Sequence, residues 1–391
     1  MATAGPDRDP DDRTNIAWLH SPKSVSSLCA GCSQSQGGQG AQCLQPTPPP
    51  PAVPPNVESA ATKRLRCSDG AARVTAARTR LLIGIFSGPG KSMKPRRAGI
   101  RSTWLRWDRM GYSALGCFVI GVNKMPVATV GALEREAEAH GDLILDTQAT
   151  DVLAAHHVNK VGPLQIQKLF GWWKHAASLL GAGTHVSHVA KVDDDTFVNL
   201  PQLEVVLASF GCKPQLYYGS MAFAGYNPLT YTMCGFSFAP SARPYRRYNC
   251  SQSGATPPVP FAMGAFVLLS THLVALVGRS AHVAAFANRS AAKSFMNLGN
   301  EDVALGFWLR RRGELAGGRP RLNITYVRGN YNIPNLGCHL NNKLYRPPSK
   351  DAIAIHFVRT PGAMKYVWLV LQNKSAHDKD MCRRMTGDGR I

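Results

Sequence analysis

"VAKVDDDTFVNL", residues 189 to 200, sets three consecutive aspartates behind one apolar run and ahead of another. Adjacent carboxylates repel one another and resist desolvation, so such a cluster needs either a very wet surface or a cation. A cation is the working answer. On an extended strand side chains alternate, so Asp193 and Asp195 face one way and Asp194 the other. This is a D-x-D geometry, in which one carboxylate binds a hard divalent ion and the other steadies water or a hydroxyl. Mg²⁺ and Mn²⁺ favour such oxygen ligands and commonly keep coordination positions open for phosphates. A D-x-D by itself also arises in ordinary surface loops, so its surroundings have to decide.

Those surroundings read as alternating strands and helices. "RLLIGIFSGPG" is a short apolar run followed by glycines and a proline, a buried strand and its turn. In "KPRRAGIRSTWLRW", Pro95 suits a helix first turn, and Ile100, Trp104 and Trp107 share one face. "LGCFVIGV" (115–122) is a second buried strand, "LEREAEAHGD" (133–142) a helix ending near Gly141, and "DLILD" a third strand. "GPLQIQKLFGWWKHAASLL" (162–180) is a longer helix, after which "HVAKVDDD" is a fourth strand. The alternation predicts an α/β fold with a mostly parallel, Rossmann-like central sheet flanked by helices. Ligands of such sheets bind beyond the carboxyl ends of the strands, where the aspartates lie.

Residues 1–78, dominated by Pro, Gly, Ser, Gln and Ala, hold too little apolar surface to offset their ordering entropy. They are expected to be a disordered stalk, with residues 79–391 as the catalytic domain. The formal net charge of +21 points to anionic partners: nucleic acid, an anionic membrane surface or a phosphorylated small molecule. A solvated basic surface explains the same charge, since no long Lys/Arg run is present. No stretch reaches the roughly 18 consecutive apolar residues of a membrane span. "GAFVLLSTHLVALVG" (264–278) reads instead as a buried strand running into a helix.

Ten cysteines include six well-spaced ones, Cys117, Cys212, Cys234, Cys250, Cys338 and Cys382. They are compatible with disulfides in a secretory lumen and equally with buried thiols. "CAGC" at 29–32 has half the spacing of a zinc site and no second half nearby. Asn-x-Ser/Thr sequons at Asn249, Asn288, Asn323 and Asn373 add mild support for a lumenal location. "SGPGKS" resembles the end of a phosphate-binding loop, but that motif needs glycine at position 85, which is Ile85.

Two further elements bear on chemistry. In "GNEDVALGFWLRRR", Glu301 and Asp302 open a helix, where acids complement the macrodipole or supply a general base. In "DAIAIHFVR", strand alternation sets His356 opposite Ile353, Ile355 and Phe357. It is either a satisfied interior histidine or a ligand completing a metal site with Asp195, because imidazole also binds Mn²⁺.

Together these segments resemble the β-1,3-galactosyltransferase family, which includes β-1,3-N-acetylglucosaminyltransferases. The resemblance rests on "RRAGIRSTW" (96–104), "VAKVDDDTFVNL", "PVPFAMGAFVLLS" (258–270) and "EDVALG" (301–306), in family order. It implies a GT-A type hexosyltransferase that takes a UDP-sugar donor and a glycan or glycoprotein acceptor, requires Mn²⁺ (or Mg²⁺), and inverts the sugar to give a β-linkage. By position it implies Asp195 as metal ligand, Asp193 and Asp194 beside the donor, Asp302 as base and His356 as a second metal ligand. Arg96, Arg97 and Arg101 match the first signature and are assigned to the donor side or to structural pairing. A Golgi lumen and a membrane anchor are also implied, although no span is visible here. The helix before the aspartates diverges, keeping Lys168 and Trp172 or Trp173. Two alternatives stand beside this reading: a basic nucleic-acid-binding protein and a metal-dependent phosphohydrolase.

Overall fold

The structure, a computed structural model, describes residues 19–20, 80–90, 92–106, 114–151, 164–180, 185–210, 213–238, 258–292, 301–310, 323–329, 331–337 and 345–372. Its first half contains β1 (Leu19–His20), β2 (Leu81–Phe86), α1 (Met93–Ser102), β3 (Ala114–Gly121), α2 (Val127–His140), β4 (Leu143–Asp146), α3 (Leu164–Leu179) and β5 (His188–Asp193). The chain continues with β6 (Phe197–Val198), α4 (Leu200–Ser209), β7 (Leu216–Asn227), β8 (Thr232–Ser237), β9 (Val259–Ser270), α5 (Thr271–Gly278), α6 (Ala281–Ala292) and α7 (Glu301–Arg310). It closes with β10 (Thr325–Arg328), β11 (Asn335–Leu336), β12 (Tyr345–Arg346), β13 (Ala354–Ile355) and α8 (Pro361–Leu371).

The apolar run of β2 is continuous because both faces of this strand are covered. Leu82 and Phe86 point into one core with Trp172 and Trp173 of α3 and with residues of α5, α6 and α7. Leu81, Ile83 and Ile85 point into a second core with Ile100 of α1, Trp104, Leu203 of α4 and Met364 of α8. The result is a sheet sandwiched between two helical layers. Gly84 falls on the first face, where an added Cβ would lie 2.4 Å from the Trp172 indole. Close packing of that ring on the strand is what a glycine permits here.

The main sheet runs in the order β1-β10-β7-β9-β5-β2-β3-β4, with β8 paired to β7. The strands expected from the first half of the sequence, β2 to β5, are all parallel. Within this sheet β8 and β9 alone run against the rest, so it is mostly parallel, as the alternation predicts. The chain steps from β2 to β3 to β4 in one direction and then places β5 on the other side of β2. The carboxyl ends of β2 and β5 therefore flank a topological switch point, the place where open α/β sheets bind ligands.

The stalk expected over residues 1–78 lies outside the described residues except for Leu19–His20, which pair with β10. The first signature helix ends at Ser102, Trp104 follows in a tight turn, and Trp107 lies outside the described residues. α2 begins six residues before the expected helix and closes on Gly141, whose φ of 69° is a left-handed helix cap. Cys117 and Cys234 are in disulfides; the other eight cysteines lie outside the described residues. Among the described residues, no helix is long and apolar enough to cross a membrane.

Candidate metal and acid–base site

At the end of β2, Ser87 uses every polar atom it has. Its amide donates to Val119 O and its carbonyl accepts from Lys168 Nζ at 2.6 Å. Its hydroxyl donates to Asp194 Oδ2 at 2.8 Å and accepts from Arg97 Nη1 at 3.2 Å. The neighbouring strand end is fixed in turn, because the Asp194 amide donates to Phe86 O. This pins the three-aspartate turn to the switch point.

Alternation then sorts the carboxylates. Asp194 is buried and turns to Ser87 and to Arg96, whose Nη1 lies 2.9 Å away; burial pushes its pKa up against the pull of Arg96. Asp193 and Asp195 face the opposite way, toward His356. His356 Nε2 is 3.3 Å from Asp195 Oδ1 and 4.0 Å from Asp193 Oδ2, and the donor atoms of the three residues all lie within 4.8 Å of one another. His356 arrives because β6, directly after the aspartates, pairs antiparallel with β13, directly before the histidine. Burial alone would raise the pKa of Asp195, but His356, Arg96 and Arg359 hold it below the ordinary carboxylate value.

The other ring nitrogen, Nδ1, faces Asn335 Oδ1 at 3.1 Å. With an ion bound, a proton on Nδ1 donated to that oxygen would leave the Nε2 lone pair free for the metal. This is the arrangement by which an outer partner orients a metal-binding histidine. Two carboxylates and one imidazole in this geometry fit a Mn²⁺ or Mg²⁺ ion.

Lys191, two residues before Asp193 on the same strand face, is completely buried. Its Nζ lies 2.9 Å from Asp193 Oδ1, 3.3 Å from Asp302 Oδ1, 3.6 Å from Glu301 Oε1 and 3.1 Å from the Gly264 carbonyl. Burial works against its charge, but the surrounding carboxylates outweigh that and hold it protonated. Three carboxylates share one ammonium, so Asp302, the most deeply buried, is pushed up by desolvation, against the pull of Lys191, and further by the charges of Glu301 and Asp193. A carboxylate made more basic by its surroundings and held beside a fixed ammonium is suited to accepting a proton from a hydroxyl.

The structure thus brings Asp193, Asp195, His356 and Asp302 into one cluster joined by Lys191, with Asp194 and Arg96 on its edge. Arg97 and Arg101 are engaged in structural pairing. Arg97 is buried and makes a bidentate pair with Glu136 at 2.8 and 2.7 Å. Arg101 makes another with Asp142 at 2.7 and 2.8 Å and also reaches Glu136. Arg101 ties α1 to α2 and to the entrance of β4, while Arg97 ties α1 to α2 and through Nη1 also donates to the Ser87 hydroxyl and to Gly88 O, bracing the end of β2 beside Asp194. Lys191, Asn335 and Gly264 were not singled out from the sequence. Lys191 and Gly264 lie inside the segments that carry the family resemblance, but no role was assigned to them there; Asn335 had no signal, being set by contacts between distant segments.

No protein-family profile and no curated protein matches the chain. Among solved structures it is similar to the galactosyltransferase LgtC in complex with donor and acceptor sugar analogs. That match has 6% identity and a TM-score of 0.35, over 79% of this chain and 97% of that one. It is also similar to mouse xyloside xylosyltransferase 1 in its apo form, with 10% identity and a TM-score of 0.31, over 71% of this chain and 96% of that one.

Proposed function

We propose that this protein is an inverting, divalent-metal-dependent glycosyltransferase that moves a hexose from a UDP-sugar to a hydroxyl of a glycan or glycoprotein, forming a β-linkage, β-1,3 by the resemblance of its motifs. The observation that carries the reading is the convergence of Asp193, Asp195 and His356 within 4.8 Å at the switch point, one lysine away from Asp302.

Asp193, Asp195 and His356 hold the ion, Mn²⁺ by the resemblance, with Asn335 orienting the imidazole. When bound, the ion supplies Lewis-acid stabilisation of the diphosphate leaving group, so no protein acid is needed there. Asp302 accepts the proton of the acceptor hydroxyl as that oxygen attacks the sugar from the face opposite the leaving group. Lys191 stays charged and stabilises Asp302 in its ionised form. Arg96 and Ser87 keep Asp194 turned away from the metal ligands and hold the turn in place.

The disulfides at Cys117 and Cys234 and the exposed sequon asparagines Asn288 and Asn323 support a lumenal, oxidising compartment, the Golgi by the same resemblance. The test is a screen of the full chain against UDP-galactose, UDP-N-acetylglucosamine and other nucleotide sugars with Mn²⁺, scoring transfer and hydrolysis. Sugar transfer that is lost in Asp195→Ala and in Asp302→Asn, with both variants still folded, is expected. Full activity in either variant refutes the assigned roles. Phosphate release from a nucleotide sugar without transfer would favour a phosphohydrolase, and salt-steep nucleic-acid binding indifferent to Mn²⁺ a basic binding protein.

A further inference from the structure

We propose that Arg359 is the residue of this site that binds the anionic part of the ligand, holding the diphosphate of a nucleoside diphosphate through its guanidinium; this rests on the metal-site reading above. The observation begins with the backbone. Phe357 has φ of 62°, a left-handed conformation that a bulky aromatic residue adopts only where its surroundings impose it. The turn it makes stacks its ring on His356, with centroids 4.0 Å apart and planes 29° apart. The same turn carries the Arg359 guanidinium to 4.5 Å above the Phe357 ring.

The main chain around Arg359 is tied to the acidic turn on both sides. The Val358 amide donates to Asp195 O at 2.7 Å, and the Arg359 carbonyl accepts from Arg96 Nε at 3.0 Å. The side chain is held less tightly. It is 58% exposed and its Nε is 3.7 Å from Asp195 Oδ2, well beyond the distance of roughly 2.8 Å typical of a charge-assisted hydrogen bond.

Four other cations around the site are already engaged. Lys191 is enclosed by carboxylates. Arg97 and Arg101 are committed to Glu136 and Asp142, and Arg96 sits at 2.9 Å from Asp194. Arg359 faces solvent at the rim of the Asp195–His356 pair. An exposed ion pair at 3.7 Å adds little to stability, so the fold gains little from holding this guanidinium where it is. A guanidinium held 4.5 Å over an aromatic ring beside the Asp195–His356 pair suits an anionic ligand: its planar fork matches phosphate oxygens, and the ring contact limits the freedom it would lose on binding.

The experiment measures Mn²⁺ binding to the full-length protein by electron paramagnetic resonance and inorganic pyrophosphate or UDP binding, with Mn²⁺ present, by calorimetry. Wild type, Arg359→Ala and Arg359→Lys are compared. Arg359→Ala is expected to weaken pyrophosphate and UDP by about tenfold or more, as loss of a charged hydrogen-bond donor does, with Mn²⁺ affinity unchanged. Arg359→Lys is expected to recover only part of the loss, because an ammonium lacks the fork. Wild-type affinity for pyrophosphate in Arg359→Ala overturns the proposal and leaves the metal site standing. Weakened Mn²⁺ binding in that variant also overturns it, by showing that Arg359 serves Asp195 instead. If wild type itself binds no Mn²⁺, the reading of the site fails and this assignment falls with it.

Discussion

A Cβ added to Gly264 would lie 2.7 Å from Lys191 Nζ, 2.7 Å from Asp302 Oδ2 and 3.2 Å from Asp193 Oδ2. The absence of a side chain at this one position lets the lysine bridge Asp193 of the proposed metal site and Asp302, the proposed base. Gly264→Ala is therefore expected to cut turnover on the order of 100-fold, the scale of loss that small displacements of reacting groups produce. Steady-state kinetics beside a thermal melt will check this: a melt close to wild type with unchanged turnover would contradict the geometry. Asn335 acts at one remove, through Nδ1 of His356. Asn335→Ala is expected to weaken Mn²⁺ binding by about 10-fold, at the low end of what removing such a partner costs. A Mn²⁺ titration followed by electron paramagnetic resonance reads that shift directly.

At the scale of elements, α1, α2 and β4 are joined by the Arg97–Glu136–Arg101–Asp142 network rather than by apolar contact alone. Burial raises the pKa of Glu136, but the two guanidinium groups outweigh it and hold the carboxyl down at about 2. A carboxylate depressed in the fold contributes stability that is full above its ordinary pKa near 4.5 and is lost as pH falls through the folded value. Urea unfolding of wild type is therefore expected to show a drop in stability between about pH 4.5 and 2 that Glu136→Gln lacks. The same substitution at pH 7 is expected to cost about 3–5 kcal/mol, because it leaves the buried Arg97 without its counter-charge. The bulge in β9 across from Gly219 and Met221 belongs to this scale as well. It breaks the ladder beside the end of β5, a common device for re-aiming side chains at a site.

The whole molecule carries a pH dependence of its own through His188, which opens β5. Its ring is buried, and desolvation, with Arg80 nearby, lowers its pKa to about 4 from an ordinary 6.5. The fold keeps the imidazole neutral while the unfolded chain protonates, so stability falls as pH drops from about 6.5 toward 4. The slope is up to about 1.4 kcal/mol per pH unit. Thermal melts across that window should lose this slope in His188→Leu; an identical slope would place its origin elsewhere. The formal charge of +21 acts at this scale too, yet at the site the cations are outnumbered locally by carboxylates. Global basicity and local acidity are thus compatible in one chain.

The strands β2 to β5, their parallel order and the aspartates at a strand end were legible in the sequence. Apolar runs and alternation with period two are local properties, and a run covered on both faces reads the same before and after folding. Tertiary structure alone decided the rest. β9 runs antiparallel between β7 and β5, a placement that sequence order does not encode. His356 meets Asp195 through the pairing of β6 with β13, Lys191 finds Asp302 through the packing of α7 on the sheet, and Arg97 and Arg101 find Glu136 rather than the cleft. Each of these depends on the register between segments far apart in the chain, where a shift of one residue turns a side chain to the opposite face.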